Sequence, residues 1–138
     1  MKVAVLLVLM SAVIMFSLGA AHLLFTFWSQ RLWPRDEKLK GLMEGSSPRI
    51  SRETTMWKAW VGFNISHSMG ALLFGFMFGY LVISVPEVFL SSFVLQSVGL
   101  FFLVAYCVLG RVYWFRVPFG GIAVATITYI AGLVAWYA

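Results

Sequence analysis

Residues Val3 to Trp28 read VAVLLVLMSAVIMFSLGAAHLLFTFW and contain no Asp, Glu, Lys or Arg. A helix needs about 20 predominantly apolar residues to cross the hydrocarbon core of a bilayer, and this run exceeds that length. The small residues at Gly19–Ala21 imitate a signal-peptidase site, but the apolar sequence continues beyond them to Trp28. The run therefore predicts a membrane span and not a cleaved leader.

Three further apolar runs of spanning length follow along the chain. They cover about Met56–Ser84, Val88–Leu109 and Pro118–Tyr137. Of the 138 residues, 62% are hydrophobic and only 11% are charged, and the mean hydropathy is +0.93. We therefore predict an all-α, polytopic membrane protein, with one domain over residues 1–138 that is a bundle of four transmembrane helices.

The basic residues indicate how the four spans are oriented. Nine of the ten Lys and Arg residues fall between runs 1 and 2, at the start of run 2, or between runs 3 and 4. They are Arg31, Arg35, Lys38, Lys40, Arg49, Arg52, Lys58, Arg111 and Arg116. Because cytoplasmic loops carry the excess of Lys and Arg, we expect these loops inside the cell and both termini outside.

The only sizeable segment outside the predicted spans is the loop at residues 29–55. Its stretch Asp36–Glu44 places Leu39, Leu42 and Met43 at helical spacing, which predicts a short helix in the membrane interface. Pro34 precedes this stretch, and the Gly45–Pro48 turn signal ends it. We expect the loop to face anionic lipid headgroups and, with its net charge of +5, the chain is not expected to bind nucleic acid. A solvated linker with a surface helix is the simplest interpretation of the loop, and a dock for a partner or for lipid is the other. For the protein as a whole, the candidate partners are another membrane protein or further copies of the chain.

An unusual polar stretch, GFNISHSMG at residues 62–70, lies in the second span. On a helix, Asn64, His67 and Ser68 share one face, together with small residues that let a neighbouring helix approach. The first span carries His22, the only other histidine, at a similar depth of roughly 9–14 Å below the cytoplasmic edge. The two imidazoles are therefore expected to face each other. Gln96 is expected near the middle of the membrane in the third span.

Three interpretations of these candidate residues remain open. In the first, neutral His22 and His67 form hydrogen bonds with Asn64, Ser68, Thr26 or each other and hold the helices together. In the second, the two imidazoles are axial ligands of a haem b iron, and basic residues at the interface meet its propionates. In the third, the polar face binds a quinone, a lipid or a small solute between helices.

The carboxylates that usually accompany a histidine in acid–base or nucleophilic catalysis are missing from the spans. The five acidic residues lie in the first loop or in the turn at Glu87, and the single cysteine, Cys107, forms no metal-binding pattern. No carboxylate pair, Ser–His–Asp set or phosphate-binding glycine loop is present. We therefore assign no catalytic residue, and the sequence leans against an enzyme without deciding the question.

The segment Met56–Gly70 resembles the signature of a family of small four-helix bacterial membrane proteins of unknown function. The pattern is W-x-A-W-x-G-F-N-x-S-H-S-x-G, and the Gly19–His22 element of the first span is similar too. The resemblance covers the whole chain in length and layout. It implies a bacterial inner-membrane location and matches His22, Asn64 and His67 to the polar positions of the pattern, but it supplies no activity.

The most economical functional hypothesis is a non-enzymatic accessory or interaction subunit. The alternatives are a haem- or quinone-binding redox subunit that uses His22 and His67, and a small-solute transporter formed by oligomerisation, because four short helices rarely enclose a path alone.

Overall fold

A computed structural model describes all residues, 1–138, and contains helices but no strand. Its helices are α1 Lys2–Trp28, α2 Glu37–Gly45, α3 Met56–Ser84, α4 Pro86–Ser91, α5 Phe93–Tyr113 and α6 Arg116–Tyr137. Helices α1, α3, α5 and α6 are long and apolar enough to cross a membrane. The predicted all-α class with four transmembrane helices is therefore confirmed.

The third predicted span differs from the observed helices. The sequence predicts one helix over 88–109, whereas the structure has the short α4, a break at Ser92, and then α5. Ser92 has extended backbone angles (φ −95°, ψ 101°), and its hydroxyl oxygen accepts a hydrogen bond from the amide of Leu95 at 3.3 Å. This side-chain cap satisfies an amide at the start of α5 that has no partner within the helix. Gln96 consequently lies in the first turn of α5, and its depth in the membrane stays a prediction.

The short helix predicted in the loop is present as α2. Asp36 caps its N-terminus by accepting a hydrogen bond from the amide of Lys38 at 2.9 Å. The helix contributes no buried residue, and Leu42 is 66% exposed. Helix α2 therefore does not belong to the buried core.

The chain divides into two compact units. Unit 1 comprises Met1–Leu18 and Ala71–Ala138. In it, α1 approaches α3 so closely at Gly75 that an added Cβ would lie 2.6 Å from the Cβ of Phe16. At Gly132 of α6, an added Cβ would lie 2.8 Å from a methyl of Val8. Glycines thus permit α1 to pack against both α3 and α6.

Aromatic rings fill the core of unit 1. Phe74 stacks on Phe78 with ring centroids 4.5 Å apart, and Phe78 meets Phe89 edge to face at 5.8 Å. Tyr129 is fully buried and contacts the same cluster. The outward faces of the four long helices carry large apolar side chains such as Phe101, which is 77% exposed. Such a surface suits hydrocarbon, since lipid replaces water as its solvent.

Unit 2 comprises Gly19–Gly70 and contains the end of α1, the loop with α2, and the start of α3. The indole Nε1–H of Trp60 donates to the backbone oxygen of Leu32 at 3.3 Å. The rings of Trp33 and Trp57 meet edge to face with centroids 5.7 Å apart. These two contacts fold the loop back onto the first turns of α3.

Candidate functional site

The centre of the candidate site is a hydrogen bond between α1 and α3. His22 Nε2 lies 2.9 Å from Asn64 Oδ1. The amide nitrogen of the same Asn64 side chain donates to the backbone oxygen of Trp60 at 2.8 Å. Since Oδ1 only accepts hydrogen bonds, the proton of this bond belongs to His22 Nε2. The Asn64 amide therefore uses both of its ends, one within its own helix and one across to α1.

Two hydroxyl groups complete the hydrogen bonding around this pair. Ser68, which is fully buried, donates to the backbone oxygen of Asn64 at 2.8 Å. Thr26 donates to the backbone oxygen of His22 at 2.8 Å. Both hydroxyls bond to the carbonyl four residues earlier, which satisfies their polarity within one helix. The hydroxyl of Ser68 is thus already bonded within α3.

The second histidine contacts the first through its ring. The rings of His22 and His67 meet edge to face with centroids 5.5 Å apart. His67 also stacks on Phe63, with centroids 6.3 Å apart and an interplanar angle of 9°. Asn64 is only 6% exposed, whereas both histidines are half-buried. The structure therefore brings His22, Asn64, His67 and Ser68 together, and we call these four residues the polar site.

Gln96, the fifth candidate residue, lies elsewhere and has partners of its own. Its Nε2 donates to the backbone oxygen of Leu90 at 2.6 Å, and its Oε1 accepts from the hydroxyl of Tyr137 at 2.9 Å. Its backbone oxygen accepts from the hydroxyl of Tyr129 at 3.1 Å. All of these residues belong to unit 1, whereas the polar site belongs to unit 2. Gln96 thus connects α4, α5 and α6 and is not part of the polar site.

The geometry of the polar site fits a haem iron poorly. Axial ligation through Nε2 would require His22 to give up its hydrogen bond to Asn64, which would leave a nearly buried amide oxygen without a donor. The two imidazoles also touch each other, so a porphyrin would have to separate them. No group of three His, Cys, Asp or Glu side chains is placed to hold a metal ion. The donor set therefore suits hydrogen bonding better than ligation.

A cluster at the loop has no counterpart in the sequence-based expectations. Lys40 Nζ lies 4.5 Å from the ring centroid of Trp33 and 5.0 Å from that of Trp57, and it forms an ion pair with Glu44. The cation–π contact with Trp57 connects α2 to the start of α3, whereas the ion pair with Glu44 lies within α2. The sequence contains the signal, since aromatic and basic residues are interleaved, but nothing in it predicts which ring meets which amine.

Chemically, the polar site offers hydrogen-bond donors and acceptors and two imidazoles. It contains no carboxylate, thiol or amine, and no triad of nucleophile, base and orienting group. In the structure, this arrangement connects α1 to α3 through a partly buried hydrogen bond and a ring contact.

Comparison with protein-family models, with curated protein sequences and with solved structures finds no match to this chain.

Proposed function

We propose that this chain is a non-enzymatic accessory or interaction subunit of a bacterial inner membrane. The observation that carries the proposal is the hydrogen bond between His22 and Asn64. It engages the most unusual polar groups of the spans with each other, so their role is to join two helices. The resemblance of Met56–Gly70 to a bacterial membrane family supports the location.

The orientation that we propose follows from charge. Both termini lie outside the cell, and the loop with α2 lies in the cytoplasm, because most of the basic residues are on that side. The loop then offers a partner in the cytoplasm or membrane the exposed surface of α2, whose Leu42 is 66% exposed. A second copy of the chain is an alternative partner for the same surface.

Redox and transport functions have less support. A haem ligated by His22 Nε2 would displace the contact with Asn64, and a quinone bound to the same nitrogen would compete with Asn64 for its proton. A transport path through one chain would require α1 and α3 to separate. At Gly75, however, the backbone of α3 lies directly against Ala12 and Phe16 of α1. A path between several copies would leave this packing intact.

The experiment has two measurements on the protein purified from its native membrane after mild cross-linking. The first compares absorption spectra of the oxidised and the dithionite-reduced protein, and we expect no band that shifts on reduction. The second determines the protein composition of the cross-linked sample, and we expect a partner present in fixed proportion to the chain. The matched variants are His22→Ala and His67→Ala, with Ser66→Ala as the control, since the exposed Ser66 bonds only to its own helix. A reduction-sensitive band that both histidine variants lose would overturn the proposal in favour of electron transfer.

A further inference from the structure

An open cavity of about 680 Å³ lies between the start of the loop and α2. Six of the side chains that line it carry its chemistry: Arg31, Trp33, Arg35, Glu37, Lys40 and Glu44. The lining combines cations, an indole and carboxylates, which is unlike the apolar surfaces of the four spans.

The tryptophans beside the cavity indicate that it lies at the level of the membrane surface. Trp60 is in the first two turns of a transmembrane helix, and its indole holds the backbone oxygen of Leu32. Trp33, which lines the cavity, contacts the ring of Trp57 on the same turns of α3. Because tryptophan rings favour the headgroup level, these contacts keep the floor of the cavity next to lipid headgroups.

Two guanidinium groups at the cavity lack an acidic partner. The protein has a single ion pair, Lys40 with Glu44, so neither Arg31 nor Arg35 is neutralised by a carboxylate. The guanidinium of Arg31 lies 4.6 Å from the ring centroid of Phe25, which anchors it near the end of α1. Arg35 makes no hydrogen bond, ion pair or ring contact. The planar guanidinium fork matches the oxygens of a phosphate group, so two unneutralised arginines favour a phosphate ligand.

The acidic residues of the cavity limit how much negative charge it accepts. Glu44 is already paired with Lys40, and Glu37 is the one lining carboxylate without an ion pair. The lining therefore carries three positive and two negative side chains, a net charge of +1. This charge suits one phosphodiester and disfavours a polyanion.

We propose that this cavity binds the phosphate headgroup of an anionic phospholipid, with Arg31 and Arg35 as the phosphate ligands and Trp33 against the glycerol region. This is a defined site and not only the attraction of a basic loop to a charged surface. The proposal goes beyond the accessory role and does not depend on it, since it requires only that the four long helices span a membrane.

The test counts lipids bound to the purified chain by native mass spectrometry from dodecyl maltoside micelles, with dioctanoyl phosphatidylglycerol as the probe. The test variant is Arg31→Gln with Arg35→Gln. The control is Arg49→Gln with Arg52→Gln, which removes the same charge from the same loop outside the cavity. Arg35→Gln alone is the second test variant, because Arg35 makes no contact that folding requires.

We expect the wild type and the control to retain one phosphatidylglycerol, and the double test variant to bind it on the order of 30-fold more weakly. Arg35→Gln alone should weaken binding about fivefold. Equal losses in test and control variants would overturn the site and leave diffuse electrostatics. Displacement of the lipid by millimolar inorganic phosphate would show a site for free phosphate instead. Equal binding of phosphatidylcholine would exclude selectivity for the anionic headgroup.

Discussion

At the scale of single residues, Asn64 links two helices through its side chain. Its side chain bonds to His22 on α1 and to Trp60 on its own helix, and its backbone oxygen accepts from Ser68. In hydrocarbon, water does not replace a lost partner, so a polar side chain at this depth has to find its partner within the protein. The site thus depends on matched partners and not on the polarity of any one residue.

A double-mutant cycle tests this pairing. We expect His22→Ala and Asn64→Ala each to lower the free energy of unfolding by about 1–2 kcal/mol, and the two effects to overlap by about 0.6–1.7 kcal/mol. The measurement is SDS titration followed by circular dichroism. Ser11→Ala is the control, since the buried Ser11 hydroxyl has no partner and its removal should cost nothing. Additive effects of the two substitutions would show that the residues do not act as a pair.

At the scale of helices, close packing and helix ends decide the structure. Glycines bring α1 against α3, and the break at Ser92 divides the third apolar run into α4 and α5. Hydropathy predicts where a chain crosses the bilayer, because it measures compatibility with lipid. It does not detect the break at Ser92, since apolar residues flank the Ser91–Ser92 pair and the Ser92 cap marks the break.

Gly75 offers a direct test of the packing between α1 and α3. A Cβ at this position would lie 2.6 Å from the Cβ of Phe16 and 2.7 Å from the backbone oxygen of Ala12. We expect Gly75→Ala to lower the free energy of unfolding by about 1–3 kcal/mol, because the helices must move apart. The control is Gly62→Ala on the same helix, where an added Cβ meets nothing within 4 Å. The same SDS titration measures both, and equal effects would mean that the close approach at Gly75 is not needed.

The connection of α6 to the α4–α5 break is tested at Gln96. Gln96→Leu leaves the backbone oxygen of Leu90 without its donor, so we expect a loss of about 1–3 kcal/mol. Tyr137→Phe removes one hydrogen bond and should cost about 0.5–1.5 kcal/mol. Hydrogen–deuterium exchange should become faster at residues 86–96 and stay unchanged in α2. Unchanged exchange at 86–96 in Gln96→Leu would contradict the role of this side chain.

At the scale of the whole molecule, the sequence predicts the fold class more accurately than it predicts individual side-chain contacts. The four spans and α2 follow from apolar length and helical spacing, and both are properties of the chain itself. The similar depth of His22 and His67 follows from counting residues along two helices, and the structure brings their rings to 5.5 Å. Gln96 differs, because its position depends on the Ser92 break and its partners lie up to 41 residues away. Pairings of that kind depend on packing, which periodicity does not encode.

Orientation in the membrane is the remaining property of the whole molecule, and cysteine labelling tests it. In a Cys107→Ala background, Ser47→Cys places a thiol in the loop and Ser91→Cys places one at the end of α4, both at exposed positions. With nine of the ten basic residues on the side of the loop, we expect a membrane-impermeant maleimide to label Ser47→Cys only in inside-out vesicles. Ser91→Cys should be labelled only in intact spheroplasts. The reverse pattern would place the termini in the cytoplasm and move the proposed phospholipid site to the outer leaflet, while the contacts that form that site would remain.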